Sequence, residues 1–302
     1  STYDVIGGPR PGVRTDAWDV NNTSDPHAHL RAYPADGTLL DSSDSRVYVV
    51  AGGAPLYLST YDVIGGPRPG VRTDAWDVNN TSDPNAHLRA YPADGTLLDS
   101  SNGRVYVVAG GAPLYLSTYD VIGGPRPGVR TDAWDVDNTS DPHAHLRAYP
   151  ADGTFLNTSA GHVYRVAGGA PIAVTSWGLF GGVQPYVTVD QWAVDHKSED
   201  PSHLLAAPLD GTTVVGLPSN QSWTFDSGLR SPGGVTSSAV AVDDAGLAAF
   251  AIRPTTSAPS AASPPTAPPA TTGATPVTRK PAKARHRKKS RHRRHGRKAH
   301  RR

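Results

Sequence analysis

The stretch Arg104-Val-Tyr-Val-Val-Ala-Gly-Gly-Ala-Pro-Leu-Tyr-Leu-Ser-Thr-Tyr-Asp-Val-Ile-Gly-Gly124 reads as one folding unit, and it recurs along the chain. Val105 to Val108 and Leu114 to Leu116 are two short β-branched and aromatic runs separated by Ala109-Gly110-Gly111-Ala112. Paired glycines supply the positive φ angles of a primed turn, so the stretch predicts a tight β-hairpin. Pro113 has no N–H to give a ladder and belongs at a strand start or edge. Ser117-Thr-Tyr-Asp120 then sets a hydroxyl three positions ahead of an acid, which is a helix N-cap signature. Gly123-Gly124 stop that helix within about two turns.

Working outward, residues 1–58, 59–116 and 117–174 are tandem copies, and the first two differ only at His27/Asn85, Asp44/Asn102 and Ser45/Gly103. A diverged fourth copy with a partial terminal unit occupies 175–254: Ser176-Trp177-Gly-Leu-Phe-Gly-Gly182 lies over Thr118 to Gly124, and Val240-Ala-Val-Asp243 echoes Val187-Thr-Val-Asp190. Within a unit we read a strand at Thr96-Leu-Leu, the hairpin, the capped helix, a helical turn over Val71–Val78 opened by Thr73 or Asp74, and an extended run at His87-Leu-Arg-Ala90. The fold class expected is mostly β with short helices, as tandem 58-residue hairpin-plus-helix repeats stacked on their neighbours or closed into a propeller-like ring. Position Val49 and Val107 becomes Arg165 in the third copy, whereas Tyr48, Tyr106 and Tyr164 do not change, so the tyrosine face is expected in the core and the Val107 face at the periphery.

Net charge of +2 conceals an asymmetry. From Arg279 to Arg302 there are 14 Lys and Arg and no acid, which leaves 15 basic against 27 acidic residues in 1–278, a net of −12. Residues 255–278 are almost all Pro, Ala, Ser and Thr, too poor in large apolar groups to fold, and predict an extended linker before a disordered basic tail at 279–302. With no cysteine there is neither a disulfide framework nor a thiolate site. No apolar run approaches the roughly 20 residues of a membrane helix. The chain has no Met and its first residue falls inside a repeat, so we expect a processed or truncated sequence.

The runs Val163-Tyr-Arg-Val-Ala-Gly-Gly-Ala-Pro171, Ser176-Trp177, Gly181-Gly182, His203-Leu204 and Pro150-Ala-Asp-Gly-Thr-Phe155 resemble tandem repeats of secreted proteins from high-GC actinobacteria. Those are similar to VYLIENGKKRPI-type hairpin repeats, non-catalytic modules that accompany cell-wall hydrolases, peptidases and esterases. The resemblance covers about residues 1–230 and implies an extracellular or cell-wall setting. The chain departs from it at Gly8-Pro-Arg-Pro-Gly-Val-Arg14 and its copies.

Catalytic constellations are not legible. There is no Gly-x-Ser-x-Gly elbow, no His-Glu-x-x-His and no phosphate-binding Gly-x-x-x-x-Gly-Lys. Glutamate occurs once, at Glu199, and Phe225-Asp-Ser-Gly228 is a single aspartic-protease-like core read as a turn. Asp19, Asn21, Thr23 and Asp25 have the alternate-oxygen spacing of a calcium loop, repeated at Asp77 to Asp83 and at Asp135, Asp137 and Asp141, without the glycine and terminal Glu of an EF-hand. A turn is the competing reading; no other cofactor is expected. His29, His87, His145 and His203 recur once per unit and are read as bonding the Asp-Pro loop, or as zinc ligands if the units close into a ring. Trp18, Trp76, Trp134 and Trp192 are read as packing side chains, with glycan stacking as the alternative. The pairs Arg10/Arg14, Arg68/Arg72 and Arg126/Arg130 suit carboxylate or phosphate, or the nearby aspartates.

The strongest interaction signal is the tail: Arg279, Lys280, Lys283, Arg285, Arg287, Lys288, Lys289, Arg291, Arg293, Arg294, Arg297, Lys298, Arg301 and Arg302. Such a run adheres to any polyanion by releasing its counterions. The function expected is a non-catalytic extracytoplasmic repeat protein, a binding or spacer array with glycan or protein as ligand, held by its tail to anionic cell-envelope polymer. Alternatives are a nucleic-acid-associated protein using the same tail, and the C-terminal accessory region of a longer secreted hydrolase.

Overall fold

A computed structural model describes residues 30–234 and 236–254, together with Val20, Asn21 and Thr23. Each period builds one four-stranded sheet. Sheet 1 comprises β1 (Leu39–Ser42), β2 (Val47–Ala51), β3 (Ala54–Leu58) and β4 (Val71–Thr73), and sheet 2 comprises β5 (Leu97–Ser100), β6 (Val105–Ala109), β7 (Ala112–Leu116) and β8 (Val129–Thr131). Sheet 3 comprises β9 (Phe155–Thr158), β10 (Val163–Ala167), β11 (Ala170–Val174) and β12 (Val187–Val189). Sheet 4 comprises β13 (Thr213–Leu217), β14 (Ser222–Asp226), β15 (Leu229–Pro232) and β16 (Val240–Asp243). In each, three strands form an antiparallel meander and the fourth crosses over to pair parallel with the first, as in the order β3-β2-β1-β4.

The hairpin follows the glycine logic. Gly110 and Gly111 have φ of 54° and 81°, and the register pairs Ala109 with Ala112 and Tyr106 with Tyr115. After β7, Thr118 accepts from the Asp120 N–H and a single 3-10 turn, Tyr119–Ile122, ends at the left-handed Gly123. This corrects the two-turn helix: Ser117 is one residue too early to cap and bonds elsewhere. The segment Val71–Val78 is also divided differently. Val71–Thr73 completes the sheet, and only then does a short helix open. The helices α1 (Ala75–Asn79), α2 (Ala133–Asp137), α3 (Gln191–Asp195) and α4 (Asp244–Leu247) start on the aspartate caps Asp74, Asp132, Asp190 and Asp243. The run expected to extend at His87–Ala90 forms no strand, because His87 has φ of 49°.

Sheets bury both faces. The face of sheet 1 bearing Leu39, Val49 and Leu56 packs on the face of sheet 2 bearing Leu98, Tyr106 and Val108, and Leu97, Val107 and Leu114 pack in turn against Leu156 and Val166 of sheet 3. Val107 is 2% exposed, so the expected peripheral face is a sheet-to-sheet interface. The extensive contacts among the described elements lie within one sheet or between consecutive sheets. At the last sheet the cross-strand row changes character. Leu97–Val107–Leu114 of sheet 2 becomes Thr213–Thr224–Ser231, so the outward face of sheet 4 is polar and caps the stack.

Among the described residues no helix is long and apolar enough to cross a membrane.

Candidate functional site

Recurring polar residues are concentrated at the joints between units. The Asp190 Oδ1 caps helix α3 by accepting from the Trp192 N–H at 2.9 Å, and its Oδ2 accepts from the N–H and hydroxyl of Ser117 at 2.7 and 2.5 Å. Asp132 does the same with Ser59, and Asp243 with Thr175. Each carboxylate thus fastens the end of one sheet's third strand to a helix one period further on. Three charge-assisted bonds satisfy a group that is 5% exposed at Asp190 and 2% at Asp243.

A second set of contacts clamps the hairpin turn. Asp94 Oδ1 accepts from the Gly110 N–H at 2.6 Å, and Asp36, Asp152 and Asp210 repeat this bond on the turns of their own units. The carbonyls of Gly110 and Gly111 then accept from Ala151 and Arg147 of the next unit, at 3.0 and 2.9 Å. A Cβ on Gly110 would stand 2.6 Å from the Ala151 nitrogen, so this glycine is required for close approach as well as for its φ.

The histidines sit here too. His145 Nδ1 lies 3.3 Å from the Ala90 carbonyl and His203 Nδ1 lies 3.2 Å from that of Ala148. Their rings meet Tyr106 and Tyr48 edge-on, His203 with Tyr106 and His145 with Tyr48. The partner is therefore the connecting chain one period back, not the Asp-Pro loop. Burial pushes His145 down to about 4 and lowers His203 as well, so both are neutral donors. Trp134 and Trp192 lie edge-on to Tyr57 and Tyr115 of the preceding sheet, which is a packing role, whereas Trp76 is exposed.

The calcium candidates scatter. Asp77, Asp135 and Asp137 are in helices α1 and α2, and Asp83 and Asp141 accept from the N–H groups of Asn85 and His143 in their own turns. Asn21 and Thr23 are described, but Asp19 and Asp25 lie outside the described residues. Among the described residues no three acidic or histidine side chains converge in a metal-holding group. Asp135 is fully buried, and burial, reinforced by Asp132 and opposed by the Tyr57 backbone N–H, holds its carboxyl well above the usual range. Phe225-Asp-Ser-Gly228 forms the β14–β15 turn, with Asp226 paired to Arg253 at 2.7 Å. Of the arginines, Arg130 pairs with Asp99 at 3.0 Å and Arg68 donates to the Ile64 carbonyl. Trp18, His29, Arg10 and Arg14 lie outside the described residues, as do residues 255–302 with the linker and all the tail candidates.

What the sequence did not disclose is a pair of equivalent grooves between consecutive sheets. One, of about 810 Å³, has a floor of Leu39, Val49, Val63 and Ile64 and a far wall of Gly128–Arg130. The other, of about 790 Å³, has Leu97, Val107, Val121 and Ile122 and a far wall of Tyr186–Thr188. Asp36 and Pro127 line both. The signal that could have found them is one period on, where all four floor positions enlarge together, to Phe155, Arg165, Leu179 and Phe180.

No family model, no curated protein and no solved structure matches the chain.

Proposed function

We propose that the chain is a non-catalytic repeat protein working outside the cytoplasm, whose array offers a binding or spacer surface and whose cationic tail adheres to anionic polymer of the cell envelope. One observation carries the reading: 14 positive charges with no acid follow a Pro, Ala, Ser and Thr segment behind an acidic body. Each phosphate or carboxylate that such a tail neutralises frees a counterion, so adhesion is strong at low salt and indifferent to sequence. The joints support the non-catalytic half, since the recurring aspartates and histidines that chemistry would need are engaged in fastening units together or in clamping hairpin turns. The resemblance to secreted actinobacterial repeats favours the envelope as the setting.

The test compares the full chain with one lacking residues 279–302 for retention on cell-wall preparations at low ionic strength. We expect the truncated chain to wash off and the full chain to elute with salt. Equal retention rejects the adhesive reading. Retention that disappears on nuclease treatment would transfer the tail to nucleic acid.

A further inference from the structure

The third joint shows what its grooves are shaped to hold. There the floor positions of Leu97, Val107 and Ile122 are taken by Phe155, Arg165 and Phe180. The two rings meet edge-on at 5.1 Å, and the Arg165 guanidinium lies 4.8 Å from the Phe155 ring and 5.3 Å from the Phe180 ring. Its Nη1 crosses to the far wall and donates to the Ala241 carbonyl at 2.7 Å, while Nε donates to the Gly153 carbonyl at 3.3 Å. By register, Ala241 corresponds to Thr188 and Gly153 to Gly95, both of which line the second open groove. The second groove therefore presents the same backbone positions with the aromatic and cationic filling removed; the first lacks that filling from its floor, while Arg130 of its far wall donates from Nε to the Val63 carbonyl at 3.0 Å along one side.

Charge agrees with a cationic occupant. The second groove is rimmed by Asp36 and Asp94 against Arg126, and the first by Asp36, Asp62 and Asp99 against Arg68 and Arg130; with Asp36 shared, the two together hold four carboxylates against three guanidinium groups. Asp94 and Asp36 line the grooves, each uses one oxygen on a turn N–H, and among the described residues neither has an ion-pair partner.

We propose that the two open grooves bind an extended peptide of a protein partner, each taking an aromatic side chain over its aliphatic floor and an adjacent arginine directed to the far wall. This deepens the reading of the array as a binding surface and is independent of the tail. The apolar floor supplies the contact area, and the guanidinium stacks on the ring it accompanies while meeting backbone carbonyls.

The experiment uses the full chain and hexapeptides carrying Phe-Arg, Phe-Glu or Ala-Arg, with binding followed by NMR shift perturbation and titration stoichiometry. Phe-Arg is expected to bind saturably at two sites, with the other two peptides weaker by about tenfold or more. Replacing Leu39, Val49 and Ile64, and likewise Leu97, Val107 and Ile122, by Phe, Arg and Phe fills both grooves with side chains the third joint already accommodates, and abolishes binding. Should that sixfold variant fail to fold, the reverse triple replacement Phe155→Leu, Arg165→Val and Phe180→Ile provides the second arm: it empties the third groove and raises the stoichiometry to three. No saturable binding, equal binding of Phe-Glu, or an unchanged stoichiometry in the folded triple variant overturns the proposal. So does a neutral oligosaccharide that binds the grooves in place of peptide. Loss of peptide binding with tail-dependent retention intact would sink the groove assignment and leave adhesion standing.

Discussion

Between sheets 1 and 2 a buried carboxyl and a buried imidazole titrate in opposite senses. His145 has an ordinary value of 6.5 and is held to about 4 by burial, so between those values the folded state binds fewer protons than the unfolded chain. Its contribution is complete above about 6.5 and is lost as pH falls toward 4, a shift worth roughly 3 kcal/mol. Asp135 is raised, so its contribution is complete below the ordinary 3.8 and is lost as pH rises through its folded value. At neutral pH this carboxyl weakens the joint. The next joint has Ala193 at that position, fully buried. Asp135→Ala is accordingly expected to raise the denaturation midpoint at pH 7, and an unchanged or lower midpoint would contradict a costly carboxyl. In that background, midpoints measured from pH 7 to 4 should fall, and replacing His145 and His203 by Gln should flatten the curve. The spacing of Asp135 was plain in the sequence, but its burial was not, because burial depends on a strand more than a whole period away.

At the scale of elements, the strands and their turn were legible because the determinants are local. Alternating β-branched residues and two glycines with positive φ are enough to define β6 and β7. Helix starts were half legible: each has a capping aspartate, but Ser117 looked like a cap and is in fact a donor to Asp190 in the next unit. Nothing within 10 residues of Ser117 reveals that partner, since the bond spans 73 positions. The sidedness of the hairpin misled for a related reason. Arg165 suggested an exposed position, whereas it is a half-buried side chain lying over two rings. Because one carboxylate does two tasks, Asp190→Ala should remove both the cap and the strand fastening, at a cost of about 3 kcal/mol in denaturant unfolding. Ser117→Ala, which keeps the cap and the backbone bond, is expected to cost about 1 kcal/mol. Equal losses for the two would mean the carboxylate serves only one of them.

At the scale of the molecule, the stack is directional. Sheets 1 and 2 offer an apolar row to a successor, sheet 3 offers one interrupted by Arg165, and sheet 4 ends in threonine and serine. Stability is therefore expected to be shared between neighbours rather than held in one core. A chain ending after Val189 would leave Ile172 and Ala167 of sheet 3, both fully buried in the whole array, without their cover from Val214 and Phe225. Such a chain should self-associate in sedimentation experiments at concentrations where the full array does not. A monodisperse truncated chain would mean that the polar row is not a cap.

The hydroxyl-to-carboxylate fastening has a further consequence for how the chain finds its order. Ser59 and Ser117 are interchangeable, and so are the aspartates that receive them, so a copy that skipped ahead by one period would meet an equally good mate. The modules from Phe155 onward differ enough to be told apart. They work as an end-stop from which the near-identical modules behind them are counted off.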